Sequence, residues 1–359
     1  MFQRYVPRWL TVLRRRVGDL DRDAAATAAI GGSSLVAALL CPLVVDAGYV
    51  VVPFATFLLA AGYGWVRHRS ATAHALAFVA TVSTLLVLGL VVVFLFQRAA
   101  PAFEEHGVAL LTSSSGRLWS PGTGELSLLP AMVGTLMLTV VAVLVAAPLG
   151  VAGALFVNEV APDRIRGLVK PGIEVLAGIP SIVYGFLGFT VLSNFFRDAM
   201  LDPVKGSFLL AGLVVGVMAL PTVVSVAEDA LDSVPDATKD GSVAVGATDW
   251  QTMKSVSLPA ALSGVSAGVL LGVGRAVGET MAAAAILGSS YEFPMPFFDA
   301  YDEGQTLTTL IANFYGNASE GGLEGLFAAG VVLFVVVSAL SVTSQVVERR
   351  MADRLGGER

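Results

Sequence analysis

The sequence predicts an all-α protein that crosses a membrane several times, and three observations support this prediction. Of the 359 residues, 55% are hydrophobic and 14% are charged, whereas soluble domains average about 25% charged residues. The mean hydropathy of +0.76 excludes a soluble globular enzyme, and it excludes a disordered chain because disorder needs low hydrophobicity and high charge. Apolar stretches of about 20 residues, the length that a helix needs to cross a bilayer, recur along the chain.

Several classes of function are excluded by what the sequence lacks. Its one cysteine, Cys41, excludes a disulfide framework and a cysteine-based metal site. The three histidines do not have metal-ligand spacing, so we expect no metal and no cofactor in this chain. The net charge of −6 argues against a nucleic-acid partner. No GxxxxGK[ST] loop occurs, so any ATP that drives this protein is hydrolysed by another chain.

Eight apolar stretches are predicted to be membrane-spanning helices. They are 24–45, 48–66, 71–96, 131–157, 171–196, 207–227, 260–288 and 326–347. The first two are separated only around Asp46, and a re-entrant hairpin is the alternative for that pair. We therefore expect residues 1–72 to form a basic N-terminus with two additional helices, 73–348 to form a six-helix core, and 349–359 to form a tail.

The distribution of lysine and arginine predicts the orientation. With the N-terminus in the cytoplasm, 17 of the 22 basic residues fall in inner segments and four in outer loops, and the remaining one, Arg275, lies within a span. Basic residues favour the cytoplasmic side, so both ends are expected in the cytoplasm of a multi-pass cell-membrane protein. The N-terminal stretch is not read as a cleaved signal peptide, because its apolar run is too long and lacks a small-residue cleavage site.

Three loops are long enough to carry function. The outer loop 98–130 is rich in Gly, Ser and Pro, and the inner loop 228–258 has a helical pattern of its own. The outer loop 289–325 contains six acidic residues and no basic one. An acidic outer loop repels free anions, so a carrier that delivers an enclosed anion would fit it better.

The most informative stretch is GVLLGVGRAVGETMAAAAILG, residues 268–288. We expect Arg275 about halfway along its helix, ~22 Å from the inner end at ~1.5 Å per residue. A lone arginine at mid-bilayer costs at least about 2.5–3.5 kcal/mol. Glu279 follows four residues later, so the two side chains are expected to share one helix face and to pair.

Two interpretations of this pair stay open. It is either an ion pair that packs helices, or a charged wall of a polar pathway in which Arg275 attracts an anion and Glu279 holds it when the anion is absent. Arginine suits oxyanions because its planar guanidinium donates two parallel hydrogen bonds. Gly264, Gly268 and Gly272 recur every four residues on this helix and favour close packing, with sliding or tilting of the helix as the alternative.

A break is predicted in the stretch 171–196. Pro180 removes a backbone hydrogen bond and clashes with the preceding turn. Ser181 and Tyr184 follow it and could place hydroxyl groups at membrane depth. The alternatives are an ordinary proline kink and a kink that opens polar groups to a pathway.

The inner loop predicts a short helix along the cytoplasmic surface. Gly246 is expected to end or bend this helix, and Pro259 is expected to begin the next membrane helix, where proline is well tolerated. Residues 237–259 could then be a lever that moves the helix carrying Arg275, or merely a linker.

These residues resemble a known family. The run from Asp240 to Pro259 resembles the "EAA" loop of ATP-binding-cassette importer permeases. The matching positions are Asp240-Gly241-Ser242 in place of Glu-Ala-Ala, Gly246, Val256 in place of Ile, and Leu258-Pro259. EVLAGIPSIVYGFLG (174–188), GRAVGETMA (274–282), and 119–139 with 147–159 are similar to phosphate importer permeases of the PstC/PstA type, and Met281 after GRAVGET is closer to PstC.

The resemblance implies a MetI-like six-helix core preceded by the two extra helices. It implies a role in phosphate passage for Arg275 and Glu279. We assign Thr280, Ser181 and Tyr184 to the same predicted pathway. The resemblance also implies contact with ATPase subunits through the EAA-like loop: Asp240, Gly241, Ser242, Gly246, Leu258 and Pro259. The implied partners are a sister permease, two ATP-binding subunits and an extracellular phosphate-binding protein, all at a lipid bilayer.

The leading hypothesis is therefore a non-enzymatic permease subunit of an ATP-driven phosphate importer. A permease for another oxyanion or small solute, such as molybdate, sulfate or phosphonate, is the alternative within the same class. A membrane sensor or scaffold is the alternative from a different class, and it predicts normal anion uptake after Arg275→Ala. A third hypothesis, an intramembrane enzyme, is not supported, because the sequence shows neither a nucleophile with a neighbouring base nor a set of metal-binding residues.

Overall fold

The computed structural model describes residues 22–44, 47–114, 119–120, 125–200, 206–288, 291 and 298–356. The chain divides into two compact units between Val93 and Phe94, within one long helix. The predicted boundary at 72/73 stays a prediction. The basic residues of 1–21, Asp46 and the segment 292–297 lie outside the described residues.

The first unit contains a bundle of three helix segments. They are α1 (Arg22–Val44), α2 (Val51–Arg67) after a 3-10 turn at Ala47–Val50, and the beginning of α3 (Arg69–His106). A Cβ atom on Gly64 would lie 3.2 Å from the Thr27 methyl group of α1 and 2.5 Å from the Thr72 hydroxyl of α3. Glycine at this position therefore allows the three segments to approach closely.

The described helices do not confirm the predicted number of membrane spans. Five described helices are long and apolar enough to cross a membrane, and one bent pair makes a possible sixth. The five are Arg69–His106, Leu129–Val160, Phe208–Asp232, Asp249–Gly278 and Gly321–Val346. Of the two helices that precede them, α2 (Val51–Arg67) has 17 residues, fewer than the ~20 of a straight span, whereas α1 (Arg22–Val44) has 23. The predicted total of eight is not confirmed, and the hairpin alternative stays open.

The second unit is built around three long helices. These are α5 (Leu129–Leu155), which continues as a π-helical turn at Phe156–Val160, α9 (Phe208–Asp232) and α12 (Leu258–Gly278). A Cβ atom on Gly216 of α9 would lie 2.9 Å from the Ala142 carbonyl oxygen of α5, and one on Gly268 of α12 would lie 3.2 Å from the Ala227 amide nitrogen of α9. The close packing predicted for the glycines of α12 is thus present at Gly268.

The remaining elements of this unit are short, except the last. They are α4 (Ala109–Thr112), β1 (Trp119–Ser120), β2 (Glu125–Leu126), α6 (Asp163–Gly178), α7 (Ser181–Leu187), a π-helical turn at Gly188–Leu192, α8 (Ser193–Met200), α10 (Asp236–Ala244), α11 (Asp249–Thr252), a π-helical turn at Met253–Ser257, α13 (Met281–Ile286), α14 (Leu307–Phe314), a 3-10 turn at Tyr315–Asn317 and α15 (Glu320–Gly356). The strands pair antiparallel, Trp119 with Leu126 and Ser120 with Glu125. The all-α prediction is confirmed for the described residues, apart from this pair of strands of two residues each.

Loops that were predicted on one side of the membrane lie together. Between the two loops predicted on the outer side, the Tyr291 hydroxyl donates to the Ser127 carbonyl over 2.8 Å. Trp119 packs against Tyr291 and Phe314, with ring centroids 5.7 and 6.0 Å apart. Burial raises the pKa of Tyr291, so the phenol stays a neutral donor. At the inner end, Lys170 pairs with Glu228 over 2.9 Å. The grouping of the loops therefore agrees with the predicted topology.

Candidate functional site

The helix that carries Arg275 is interrupted at Glu279. α12 ends at Gly278, Glu279 has an extended backbone (φ −69°, ψ 125°), and α13 begins at Met281. The expectation that Arg275 lies halfway along a continuous helix was wrong, because it lies in the last turn of α12. A cation in that position is stabilised by the negative end of the helix dipole.

The carboxylate of Glu279 explains why the helix does not continue. Its Oε1 atom accepts a hydrogen bond from the Ala282 amide over 3.1 Å, which caps the first turn of α13. A side chain that satisfies a free backbone amide in this way offers the chain an alternative to continuous helix. The expected pairing of Glu279 with Arg275 is accordingly absent from the described ion pairs.

Arg275 is available to groups outside its own chain. Among the described residues its guanidinium has neither an ion pair nor a hydrogen bond, and its side chain is exposed. The Tyr184 phenol is close enough for an electrostatic interaction with it. The site therefore presents a cation that no described residue of the protein neutralises by an ion pair.

Buried threonines hold the break in place. The Thr308 hydroxyl donates to the Glu279 carbonyl over 2.8 Å, and the Thr135 hydroxyl accepts from the Leu307 amide over 2.9 Å. The Thr280 hydroxyl donates back to the Gly278 carbonyl over 3.2 Å. Sequence reasoning missed Thr135 and Thr308, although the run Thr306-Leu307-Thr308-Thr309 within the acidic loop was a signal.

The second predicted break is present at Pro180. α6 and α7 meet at 90° around Ile179 and Pro180. The Tyr184 hydroxyl donates to the Leu176 carbonyl over 2.9 Å, which satisfies an acceptor near the end of α6. Ser181 begins α7 and is half-buried, with no side-chain hydrogen bond in the described part of the chain.

The two breaks lie against each other. A Cβ atom on Gly185 of α7 would lie 2.8 Å from the Ala282 Cα of α13. This contact brings Tyr184 toward Arg275, whereas no interaction joins Ser181 to Arg275 or Glu279 among the described residues. The structure thus assembles Arg275, Glu279, Thr280 and Tyr184 at two facing helix breaks.

The inner loop forms the predicted short helix. α10 ends at Ala244, and Gly246 follows it with φ +92°, a left-handed conformation that favours glycine. Asp240 and Gly241 are exposed, whereas the Ser242 hydroxyl lies 2.7 Å from that of Thr252 in α11. Leu258 and Pro259 begin α12, as expected from the sequence.

Comparison with known proteins identifies the family. The model of the family "Binding-protein-dependent transport system inner membrane component" matches residues 146–353. The chain belongs to this family of transport-system permeases.

Relatives of the permease cover most of its length. It is 37% identical over 250 residues to the probable ABC transporter permease protein YqgH of Bacillus subtilis, covering 68% of this chain and 80% of that one. It is 31% identical over 304 residues to the phosphate transport system permease protein PstC of Mesorhizobium japonicum, covering 79% and 91%. The PstC-like resemblance is therefore confirmed at the level of the family.

A solved structure has the same fold. A bacterial ABC transporter involved in the import of the acidic polysaccharide alginate matches the permease with a TM-score of 0.55 at 17% identity, covering 80% of this chain and 96% of that one. The predicted permease fold is confirmed by this likeness.

Proposed function

We propose that the permease forms the transmembrane pathway of an ATP-driven phosphate importer. Two facts support the substrate: relatives with 31–32% identity carry the name phosphate transport system permease protein, and an unneutralised arginine lies at a helix break in a spanning segment. Arginine matches the oxygens of a phosphate better than lysine because it can donate two parallel hydrogen bonds.

The observation that carries this proposal is the separation of Arg275 from Glu279. If the two side chains formed an ion pair, the arginine would already be neutralised and could serve as a helix staple. Instead, Glu279 caps α13, and Arg275 is exposed on the surface of the single permease chain. A charged side chain left against lipid is costly, so this face requires a hydrated route or a second subunit.

This requirement supports the proposed partners. A sister permease would cover the Arg275 face, and two ATP-binding subunits would dock on α10 and Gly246 through Asp240, Gly241 and Ser242. An extracellular phosphate-binding protein would deliver the anion at the acidic loop, with both ends of the permease in the cytoplasm. In this scheme the permease hydrolyses no ATP and catalyses no covalent step.

Exposed apolar side chains support the docking role of the inner loop. Val243 is 51% exposed, Val245 is 85% exposed and Trp250 is 65% exposed, and all three flank Gly246. These residues lie in the segment that connects α9 to α12, which the sequence predicts on the cytoplasmic side. A protein partner would remove them from water.

The proposal is tested by phosphate uptake into vesicles that contain the complete transporter. Arg275→Ala should lower uptake by about 10- to 150-fold, because hydrogen bonds to a charged group contribute about 1.5–3 kcal/mol. Arg275→Lys should retain more uptake than Arg275→Ala but less than the wild type. Lysine keeps the positive charge but cannot donate the two parallel hydrogen bonds of the guanidinium. Arg67→Ala is the matched control, because Arg67 is also exposed but lies at the end of α2.

The alternatives predict other results. Uptake that sulfate or molybdate outcompetes would assign the permease to another oxyanion. Uptake that is unchanged in Arg275→Ala would favour the sensor or scaffold, provided that the variant complex still assembles.

A further inference from the structure

A group of polar side chains joins α10 to the inner ends of the spanning helices. We call Asn158, Glu159, Arg166 and Lys239 the inner polar joint. The Lys239 Nζ atom of α10 lies 2.8 Å from Glu159 Oε1 and donates to Asn158 Oδ1 over 3.3 Å. Asn158 and Glu159 belong to the π-helical turn that ends α5.

The turn that receives Lys239 is itself fixed. Arg166 of α6 donates from Nε to the Val157 carbonyl over 2.9 Å, and from Nη2 to the Asn158 carbonyl. These two bonds satisfy carbonyl groups that the end of α5 leaves free. A displacement of Lys239 therefore acts on a turn that is tied to α6 rather than on a loose loop.

The position of the pair distinguishes it from an ordinary surface ion pair. The side chains of Lys239 and Glu159 are 19% and 14% exposed, so both are largely removed from water. Exposed pairs contribute little because solvent screens them, whereas partly buried pairs are screened much less. Removing one partner would leave the other charge poorly solvated.

The ion pair connects α10 to a spanning helix in addition to the connections that the chain itself makes. α10 packs on α11 and on the π-helical turn Met253–Ser257, both of which follow it in sequence and lead directly into α12. In the described part of the chain, Lys239–Glu159 is the ion pair that connects α10 to the α5–α6 side. α10 is thus attached to α12 through the chain and to α5 through this pair.

We propose that Lys239 and Glu159 are positioning residues that transmit a movement of α10 to the inner ends of α5 and α6. This inference rests on the proposed function, in which ATPase subunits act on α10. With the pair intact, a push on α10 displaces α5 and α12 together. Without it, α10 turns about Gly246 and the ATPase works without moving the pathway.

The test compares phosphate uptake with ATP hydrolysis in vesicles containing the complete transporter. Lys239→Met and Glu159→Gln should each lower the phosphate transported per ATP hydrolysed by about five- to tenfold, which lies within the range expected for interacting neighbours. The exchanged pair, Lys239→Glu with Glu159→Lys, should restore most of this ratio. Lys254→Met is the matched control, because Lys254 is an exposed lysine of the same inner segment and has no ion pair in the described part of the chain.

Three results would overturn the inference, and a fourth would instead refute the proposed function. An unchanged ratio in both single variants would overturn it, and so would an exchanged pair no better than the singles. If the single variants fail to assemble, Lys239→Arg and the exchanged pair decide the matter, since failure of these as well would assign the joint a purely structural role. A wild-type complex without ATP-driven phosphate uptake would instead refute the proposed function, before any variant is compared.

Discussion

At the residue scale, the separation of two charges is the main finding. A guanidinium in the last turn of α12 and a carboxylate that caps α13 lie on either side of a helix break. Sequence spacing alone predicts that they share a helix face, because Arg and Glu four residues apart do so in a continuous helix. Gly278 and the capping carboxylate explain the difference, and each charge is thereby free for a separate task.

The cap can be tested independently of transport. Glu279→Ala should lower the stability of the purified complex by about 1 kcal/mol, the usual cost of a lost helix cap. Glu279→Gln keeps an oxygen that can accept from the Ala282 amide and should lose much less. Thermal unfolding of the two variants measures this difference, and equal melting temperatures would show that the carboxylate does not cap α13.

Gly246 is the other residue whose conformation carries an argument. A non-glycine residue at its φ of +92° is strained by about 1–2 kcal/mol, although no atom within 4 Å would obstruct a Cβ. Gly246→Ala should therefore increase amide hydrogen exchange across Asp236–Ala244. Gly241→Ala is the control, since Gly241 is inside α10 with equally open surroundings, and the change to alanine should slow exchange there. Equal protection in both variants would remove the strain argument.

At the scale of elements, the existence of the helices was predictable, but only one of the two helix breaks was. Hydrophobic length places α5 and α9 within five residues at each end and the start of α12 within two, because a bilayer requires long apolar segments. The end of α12 lies ten residues before the predicted one. The break at Pro180 was also predictable, since proline removes a backbone donor. The break at Glu279 depends on a bond to Ala282 and on support from Thr308, which is 29 residues away in sequence. Such long-range contacts leave no local pattern.

The packing of α9 on α5 provides a prediction about an element. A Cβ atom on Gly216 would lie 2.9 Å from both the Ala142 carbonyl oxygen and the Val145 Cβ, and the backbone oxygen cannot move aside. Gly216→Ala should destabilise the fold by about 1–3 kcal/mol, the usual cost of overpacking. Gly172→Ala, with nothing within 4 Å, is the control. Denaturation of both purified variants decides the point, and equal stability would contradict the close approach.

At the scale of the whole molecule, the sequence predicts which loops lie together better than it predicts the number of spans. Inner loops contact inner loops and outer loops contact outer loops, as the distribution of basic residues predicts. The predicted total of eight spans is not confirmed, because hydropathy alone does not distinguish a span from a shorter apolar helix such as Val51–Arg67. The ion pair that joins α10 to α5 links residues 80 positions apart in sequence, which composition cannot reveal.

The absolute orientation is open to a labelling experiment. In a Cys41→Ser background, which removes the one native cysteine, Tyr315→Cys should react with a membrane-impermeant maleimide in intact cells. Arg164→Cys should react only after permeabilisation, because it lies on the inner side in the predicted topology. Both side chains are exposed on the protein surface, so a difference in labelling would report the side of the membrane and not burial. The reverse pattern of labelling would invert the topology.

The central claim is that the Arg275 guanidinium contacts phosphate on its way through the membrane. The most direct measurement is phosphate uptake by Arg275→Cys in the Cys41→Ser background, before and after modification with a small cationic thiol reagent. We predict that uptake is lost in the variant, returns in part when the reagent restores a positive charge, and does not return with a neutral reagent of the same size. Uptake equal to that of the parent before any modification would contradict the claim.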